Sequence, residues 1–259
     1  MASQYCFQYC IGITDVDSFN FRRVGNKVYE RAFPIYRPLY SAYKAYADRA
    51  ERRLIRTILF RGAVVVDVGA NIGIYSRFFS GCVGPTGVVH AFEPSPENFH
   101  RLQSATRKLP NVCLSHAAVG EGSGRSQLYL SNKLNVDHRT YLPKGDSRKT
   151  VPVDVIALDD YFRPGDRVDL IKLDVQGYEL HALRGANRVL QENPATKVIL
   201  ELWPHGLRQA ATPWPDLIAA LEEKGMRIRQ VTAKGLIPFL PDLVRERADW
   251  YTNLFASRE

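Results

Sequence analysis

The sequence is poor in the residues that build metal centres and disulfide frameworks. Its 259 residues include only four cysteines, Cys6, Cys10, Cys82 and Cys113, and no two of them form a CxxC pair. They also lack the Cys/His spacing of a zinc site, which argues against zinc-finger and disulfide-rich proteins. We expect free thiols in a reducing compartment.

Long apolar runs and a leader sequence are missing as well. No apolar stretch approaches the roughly 20 residues that span a bilayer, and the N-terminus has no basic region followed by an apolar core. We therefore expect a soluble, cytoplasmic protein with no membrane partner. The formal net charge of +8 is scattered, without a basic tract interleaved with aromatic residues. Nucleic-acid binding is permitted by this charge but not indicated, and the pattern indicates no oligomeric state.

Residues 64–76, VVVDVGANIGIYS, are the most informative stretch of the chain. Three valines precede Asp67. Gly69 and Gly73 follow in a predicted turn, and apolar residues come next, where a helix would begin. A strand, a tight glycine turn and a helix N-terminus form a place where a ligand can lie against backbone. The same pattern also occurs without a ligand, and the GxGxxG turn of nicotinamide-binding proteins is not present.

Acidic residues follow four apolar strands of the predicted sheet: Asp67, Glu93, Asp174 and Glu201. Open α/β sheets bind ligands at this carboxyl edge, where an acid after the second strand accepts hydrogen bonds from ribose hydroxyls. A carboxylate in the first turn suits a cationic ligand better than a pyrophosphate. S-adenosylmethionine carries a sulfonium and an ammonium group, so the pattern favours it over NAD.

Strands alternating with helices predict a mostly parallel α/β sheet with crossovers on both faces. An amphipathic helix is predicted over residues 38–58, and further helices over 74–80, 96–109, 158–162, 178–190 and 215–224. The predicted strands are 63–68, 88–93, 111–115, 127–130, 151–156, 168–173, 197–200, 226–231 and 249–256.

We divide the chain into residues 1–60, an N-terminal helical cap on the substrate side, and residues 61–259, the cofactor-binding domain. The first region includes a weakly predicted strand pair between residues 19 and 29. Its tyrosine stripe, which includes Tyr40, fits either packing or a substrate pocket. The polar segment 131–150 is predicted to be a mobile loop that carries specificity.

Four motifs taken together carry a resemblance: VVVDVGANIGIYS, FEPSPENFHRL, NVCLSHAAVG and IKLDVQGYELHALRGA. In order and spacing they resemble the FkbM family of S-adenosylmethionine-dependent methyltransferases, over roughly residues 64–201. The resemblance implies a class I methyltransferase (Rossmann-like) fold, with seven strands and an antiparallel last strand. It also implies O-methylation of a small-molecule or glycan acceptor with a free hydroxyl, often a sugar or a polyketide-type natural product.

The resemblance further implies a set of cofactor-binding residues. Glu93 would hold the ribose, residues 115–118 would flank the adenine, and Gln176 stands where many family members have glutamate. The implied set is Asp67, Gly69, Ala70, Asn71, Gly73, Tyr75, Glu93, Pro94, Ser95, His116, Ala117 and Asp174.

An aliphatic hydroxyl is a poor nucleophile, so a base or a metal must weaken its O–H bond. Asp174 is the first candidate for base or positioning group and His205 the second. Together with Glu201 they would also suit a divalent cation such as Mg²⁺, although Lys172 can neutralise a carboxylate instead. Methylation of RNA or protein, a non-catalytic cofactor-binding subunit and a nicotinamide-dependent oxidoreductase stay open as alternatives.

Overall fold

The computed structural model describes residues 33–130 and 149–258. The strand pair predicted between residues 19 and 29, most of the predicted mobile loop, and the first two cysteines lie outside these ranges. Cys82 and Cys113 are free thiols, as expected. No helix within the described ranges is long and apolar enough to cross a bilayer.

Two helices come first, α1 (Phe33–Ala47) and α2 (Arg49–Ile58). The sequence predicts one helix over 38–58, but the structure interrupts it at Asp48, whose ψ of 20° leaves helical geometry. The Asp48 carboxylate does not cap α2; it pairs with the Lys44 ammonium at 2.8 Å. The two helices are therefore consecutive, and backbone hydrogen bonds from Asp48 to Lys44 and from Arg52 to Asp48 connect them.

Eight strands form the main sheet, in the order β10-β9-β11-β8-β7-β1-β2-β3. The strands from β8 to β3 in this order are parallel, whereas β11 runs antiparallel to both neighbours, β8 and β9. The eight are β1 (Val64–Val68), β2 (Val88–Phe92), β3 (Val112–Ser115), β7 (Leu170–Leu173), β8 (Lys197–Leu202), β9 (Arg227–Thr232), β10 (Gly235–Pro238) and β11 (Thr252–Ser257).

This architecture confirms the class I methyltransferase fold, including the antiparallel last strand, but the sheet has one strand more than predicted. The additional β10 pairs with β9 as a hairpin. Gly235, at φ +113°, closes the hairpin, and the Thr232 hydroxyl donates to its carbonyl oxygen at 2.8 Å. Strand β10 has only four residues, and they include a glycine and a proline, so the sequence pattern did not predict a strand there.

A second, three-stranded sheet, β4-β6-β5, lies beside the main one. It consists of β4 (Ala118–Val119), β5 (Gly124–Leu130) and β6 (Lys149–Ile156). The predicted strands 127–130 and 151–156 are the antiparallel pair β5 and β6. The last two residues of the predicted mobile loop, Lys149 and Thr150, belong to β6.

The remaining helices cover both faces of the main sheet. They are α3 (Ile74–Val83), α4 (Pro96–Thr106), α5 (Leu158–Tyr161), α6 (Glu179–Arg184), α7 (Asn187–Glu192), α8 (Pro204–Gln209) and α9 (Trp214–Glu222), with a 3-10 turn at Pro241–Leu243. The single helix predicted over 178–190 is two helices, α6 and α7. The Asp159 carboxylate accepts hydrogen bonds from the backbone amides of Arg188 and Val189 in the first turn of α7, so a separate helix begins there. The sequence did not predict α8.

Two apolar cores fix the sheet between these helices. On one face Ile55 of α2 and Phe79 of α3 pack against Val65 and Phe255. On the other face Leu180 of α6 and the helices α7 and α9 pack against the same strands. Acidic side chains lie at the carboxyl ends of four of these strands: Asp67 on β1, Glu93 after β2, Asp174 after β7 and Glu201 on β8.

Candidate active site

The turn between β1 and α3 is folded tightly against the neighbouring strand ends. The amides of Gly69 and Ala70 donate to the carbonyl oxygen of Phe92, at 3.0 and 2.9 Å. Gly69 has φ +81°, and a Cβ there would collide with the backbone oxygen of Asp174. Only glycine fits, because both the backbone angle and the space exclude a side chain. The turn after β1 is thus held directly against the end of β7.

Glu93, at the end of β2, ties the turn to the second strand. Its side chain is buried, and its two oxygens accept the backbone amides of Asn71 at 2.8 Å and of Ser95 at 2.9 Å. Burial raises the pKa of Glu93 to about 7. The Asn98 side chain is also hydrogen-bonded to this carboxyl. Because a carboxylate has about four acceptor positions, the group can still accept a hydrogen bond from a ligand hydroxyl.

A cleft of about 560 Å³ opens between this turn and the start of the second sheet. Six of the residues predicted to bind the cofactor line it: Gly69, Asn71, Glu93, Pro94, Ala117 and Asp174. Asn98, Leu128 and Tyr178, which were not predicted, also line it.

Three predicted cofactor residues have other contacts and do not line the cleft. The ring of His116 stacks on that of Phe99, with centroids 4.5 Å apart. Ser95 lies in the connection to α4, and its backbone amide donates a hydrogen bond to Glu93. Gly73, at φ +82°, opens α3, and a Cβ there would come within 2.9 Å of Leu102 in α4. Their roles at the cofactor remain predictions.

A second cavity, of about 610 Å³, lies on the other side of Gly69. Asp67, Ala70 and Tyr75, also predicted to bind the cofactor, line it. Asp67 is buried and its carboxylate accepts the Ser76 hydroxyl at 2.7 Å. Burial raises the pKa of Asp67 to about 6, although the nearby ammonium of Lys172 opposes the shift.

Asp174 lies where the two cavities meet, at the end of β7. The Lys172 ammonium is 3.1 Å from one of its oxygens, and the Gln176 amide donates to the other at 3.3 Å. Burial alone would raise the pKa of Asp174, but the ammonium groups of Lys172 and Lys44 outweigh it and hold that pKa below its ordinary value. Asp174 is therefore ionised at neutral pH.

Glu201, at the end of β8, differs from Asp174 in that its pKa is raised. Its oxygen lies 3.5 Å from the same Gln176 amide, so this amide bridges it to Asp174. Burial, reinforced by the negative charge of Asp174, raises the pKa of Glu201 to about 8. The structure thus brings together an ionised and a mostly protonated carboxyl. Pairs whose pKa values are driven apart in this way are typical of acid–base sites.

His205, the second candidate base, lies on α8. Its Nε2 is 2.8 Å from the Gln209 amide nitrogen, and its ring lies 5.7 Å from that of Trp203. It is not among the lining residues of either cavity, so its catalytic role remains a prediction. Within residues 33–130 and 149–258, no three His, Cys, Asp or Glu side chains are arranged to hold a metal ion. The position that a cation would take beside Asp174 is filled by the Lys172 ammonium.

The N-terminal helices contribute residues that sequence reasoning did not assign. Tyr40 and Lys44 of α1 line the second cavity, and Glu51 of α2 is buried behind them. A signal was present, because Lys44, Asp48 and Glu51 recur at spacings of four and three and so share one face of the predicted helix. In the tyrosine stripe, Tyr40 also stacks on Tyr36 at 5.2 Å, so packing and pocket lining coincide.

Comparison with known proteins gives a consistent result. The profile of the methyltransferase FkbM domain matches residues 67–228. The methyltransferase sdnD of Sordaria araneosa is 27% identical over 234 residues, covering 74% of this chain and 78% of that protein. The hexuronic acid methyltransferase AglP of Haloferax volcanii is 28% identical over 149 residues, covering 55% of this chain and 59% of that protein.

Among solved structures, the crystal structure of methyltransferase FkbM from Methylobacillus flagellatus KT is similar, with 20% identity and a TM-score of 0.47. The similarity covers 85% of this chain but 54% of that one. The chain thus spans about half the length of that protein.

Proposed function

Because this chain belongs to the FkbM family of methyltransferases, we propose that it transfers a methyl group to a hydroxyl of a sugar or a natural product. The methyl donor is S-adenosylmethionine. The observation that carries the choice of oxygen as acceptor is the carboxyl pair of Asp174 and Glu201, bridged by one amide at the edge of the sheet.

The residues around the glycine turn suit this cofactor. Glu93 lines the first cleft and has an acceptor position left for a ribose hydroxyl. Asp67 and Asp174 place carboxylates on the other side of Gly69, which suits a ligand with cationic groups. When bound, S-adenosylmethionine supplies an electrophilic methyl group on its sulfonium.

Asp174 then serves as the group that orients the acceptor hydroxyl and accepts its proton. Methyl transfer is an in-line displacement, so much of the acceleration comes from holding the acceptor oxygen in place. An ionised carboxylate can accept the hydrogen bond of that hydroxyl, and Lys172 and Gln176 keep the carboxylate fixed. Asp174 then releases the proton to solvent, while Glu201, which is mostly protonated because of its raised pKa, can donate a hydrogen bond on the acceptor side.

Helices α1 and α2 act in this proposal as a cover over the acceptor side. Tyr40 and Lys44 form part of the cavity wall opposite the strand ends. One relative is a hexuronic acid methyltransferase, which supports a glycan acceptor, and the natural-product class comes from the motif resemblance.

Two measurements test the proposal. The first is calorimetric titration with S-adenosylhomocysteine, with NADH as the control ligand and EDTA-treated protein in parallel. We expect micromolar affinity for S-adenosylhomocysteine, with or without EDTA treatment, and no binding of NADH. Binding of NADH instead would exclude the methyltransferase function.

The second measurement distinguishes oxygen from nitrogen as the acceptor atom. Pairs of glycosides that differ only by an amino group in place of one hydroxyl are incubated with the enzyme and S-adenosylmethionine, and the methylated atom is located by mass spectrometry and NMR. We expect transfer to oxygen. Methylation of only the amino compounds would contradict the assignment of Asp174 as a group that handles a hydroxyl.

A further inference from the structure

The turn after β7, residues 174–177, contains a strained backbone angle. Gln176 has φ +55°, in the left-handed region that glycine and asparagine adopt far more readily than other residues. Among the described residues, only Asn71 and Ala211 share this feature without being glycine. Strained residues persist where the surrounding structure enforces them, and they are concentrated at functional sites. The angle at Gln176 therefore points to a function of this turn.

The turn is held in this conformation from two sides. Gly177 has φ +100° and lies against the backbone of α8, where a Cβ would come within 2.6 Å of the Gly206 carbonyl oxygen. Glu179 is buried, and one of its carboxyl oxygens accepts the backbone amides of Val175 at 3.2 Å and of Gly177 at 3.1 Å. The neighbours of Gln176 thus fix the path of the chain and impose its backbone angle.

The side chain of Gln176 lies at the junction of the first cleft and the second cavity. Four of the described residues line both spaces: Gly69, Asn71, Asp174 and Gln176. The amide nitrogen of Gln176 is 3.3 Å from an oxygen of Asp174 and 3.5 Å from an oxygen of Glu201. A primary amide carries two N–H donors, so this one side chain can donate a hydrogen bond to each carboxyl.

We propose that Gln176 is a positioning residue: the strained turn directs its amide between Asp174 and Glu201, and the amide keeps the Asp174 carboxylate facing the junction of the two cavities. This inference rests on the proposed function, in which Asp174 orients the acceptor hydroxyl. The Lys172 ammonium binds the other oxygen of Asp174 at 3.1 Å. With a partner on each oxygen, the carboxylate cannot rotate away from the place where acceptor and methyl donor meet.

An amide suits this position better than other side chains of similar size. Glutamate would place a third carboxyl beside Asp174 and Glu201, and in its ionised form it would supply no donor. Leucine has no donor at all. Asparagine adopts the left-handed region more readily, but it is one methylene shorter and reaches less far. Glutamine is thus favoured by the reach and the two donors of its amide, in spite of the backbone angle.

The first test separates strain from function. Gln176→Gly removes the side chain and relieves the backbone angle, because glycine adopts positive φ without steric cost. We expect its melting temperature to stay within about 3 °C of the wild-type value or to exceed it. Ala211→Gly is the matched control, because Ala211 has φ +58° but is exposed and lines neither cavity. A Gln176→Gly protein that melts far below both would show a structural role and overturn the proposal.

The second test compares the affinities for S-adenosylmethionine and S-adenosylhomocysteine, measured by calorimetry. The two ligands differ by a methyl group and a positive charge on sulfur, so the ratio of their affinities reports how a carboxylate is placed beside that sulfur. Gln176→Leu keeps the backbone strain but removes the amide. We expect it to lower this ratio at least about threefold, whereas Ala211→Gly leaves the ratio unchanged.

A double-mutant cycle shows whether Gln176 acts through Asp174. In an Asp174→Asn protein, Gln176→Leu should have no further effect on the affinity ratio, because the carboxylate that the amide positions is already gone. An unchanged ratio in Gln176→Leu alone overturns the proposal. An equal loss in the Asp174→Asn background overturns it too, since Gln176 would then act independently of Asp174.

Failure of this inference is distinguishable from failure of the proposed function. The side-chain amide of Gln176 gives proton–nitrogen NMR signals, which are assigned by their loss in Gln176→Leu. In the unliganded protein these signals should shift in Asp174→Asn and in Glu201→Gln, but not in the control Asp154→Asn. Signals that stay in place in the first two variants overturn the inference. If neither ligand binds, the proposed function fails, and these signals still test the contacts of Gln176.

Discussion

The proposed cofactor side and the proposed acceptor side of the site are built in different ways. Around the glycine turn, the contacts are made largely by backbone groups and by residues close in sequence, such as the amide of Asn71 on Glu93, 22 residues away. On the acceptor side, the contacts are between side chains far apart in the chain, such as Glu51 and Asn253, which are 202 residues apart. A binding site held by backbone leaves a sequence motif, whereas one assembled from distant side chains does not.

The largest effect should come from the point where the two sides touch. Gly69→Ala forces a left-handed backbone angle on alanine and drives its Cβ into the Asp174 carbonyl. We expect a loss of about 2–4 kcal/mol in the free energy of unfolding and no measurable binding of S-adenosylhomocysteine. Gly122→Ala is the control, because nothing lies within 4 Å of a Cβ there. Thermal melting and calorimetry decide, and a Gly69→Ala protein that binds normally would show that the close approach is unimportant.

A change on the acceptor side should separate turnover from cofactor binding. Asp174→Asn keeps the shape but removes the charge that orients the hydroxyl, so we expect kcat to fall by about 100-fold or more. The affinity for S-adenosylhomocysteine should change by less than about tenfold. Asp154→Asn, on the exposed face of β6, serves as control. Equal losses in turnover and affinity would place Asp174 on the cofactor side only.

Changes on the cofactor side should show the reverse pattern. Glu93→Ala removes the acceptor of two backbone amides and a ribose partner, and Asp67→Ala removes a carboxylate near the cationic end of the cofactor. We expect each to weaken binding of S-adenosylmethionine by at least about tenfold, or ~1.4 kcal/mol. Glu97→Ala, at an exposed position in the first turn of α4, is the matched control. Unchanged affinity in folded Asp67 and Glu93 variants would refute the site assignment.

The smallest expected effect is a dependence of stability on pH. The pKa values of Asp67, Glu93 and Glu201 are raised by burial to about 6, 7 and 8. The folded protein therefore holds these protons more tightly than the unfolded chain. Their contribution to stability is complete below the unfolded pKa values and is lost as pH rises through the folded ones. The pKa of Asp174 is lowered, so its contribution to stability is lost as pH falls, and this happens only at acidic pH.

We therefore expect the melting temperature of the unliganded protein to fall between pH 6 and 8, by about 3–6 °C if the change is ~1–2 kcal/mol. Saturating S-adenosylmethionine should reduce the fall, because its cationic groups favour the ionised carboxyls. Glu201→Gln should also flatten the curve. A melting temperature that rises over this range would contradict the assigned pKa directions.

The same contrast explains what the sequence could predict. Strands β1, β2 and β7 are short apolar runs that end in an acid, so their positions and the residues Asp67, Glu93 and Asp174 were foreseeable. The division between α6 and α7 depends on a contact of Arg188 with Asp159, 29 residues away, which local patterns do not contain. The contact of Glu51 with Asn253 needs β11 beside α2, and no local period reports that proximity.

The pairing of Glu51 with Asn253 has a consequence for how the protein is made. Strand β11 inserts between β8 and β9, both of which leave the ribosome before it. During translation the glycine turn and β2 can meet early, whereas the contact of Glu51 with Asn253 cannot form until β11 has emerged. A product terminated before β11 would also lack the strand that joins β9 and β10 to the rest of the sheet.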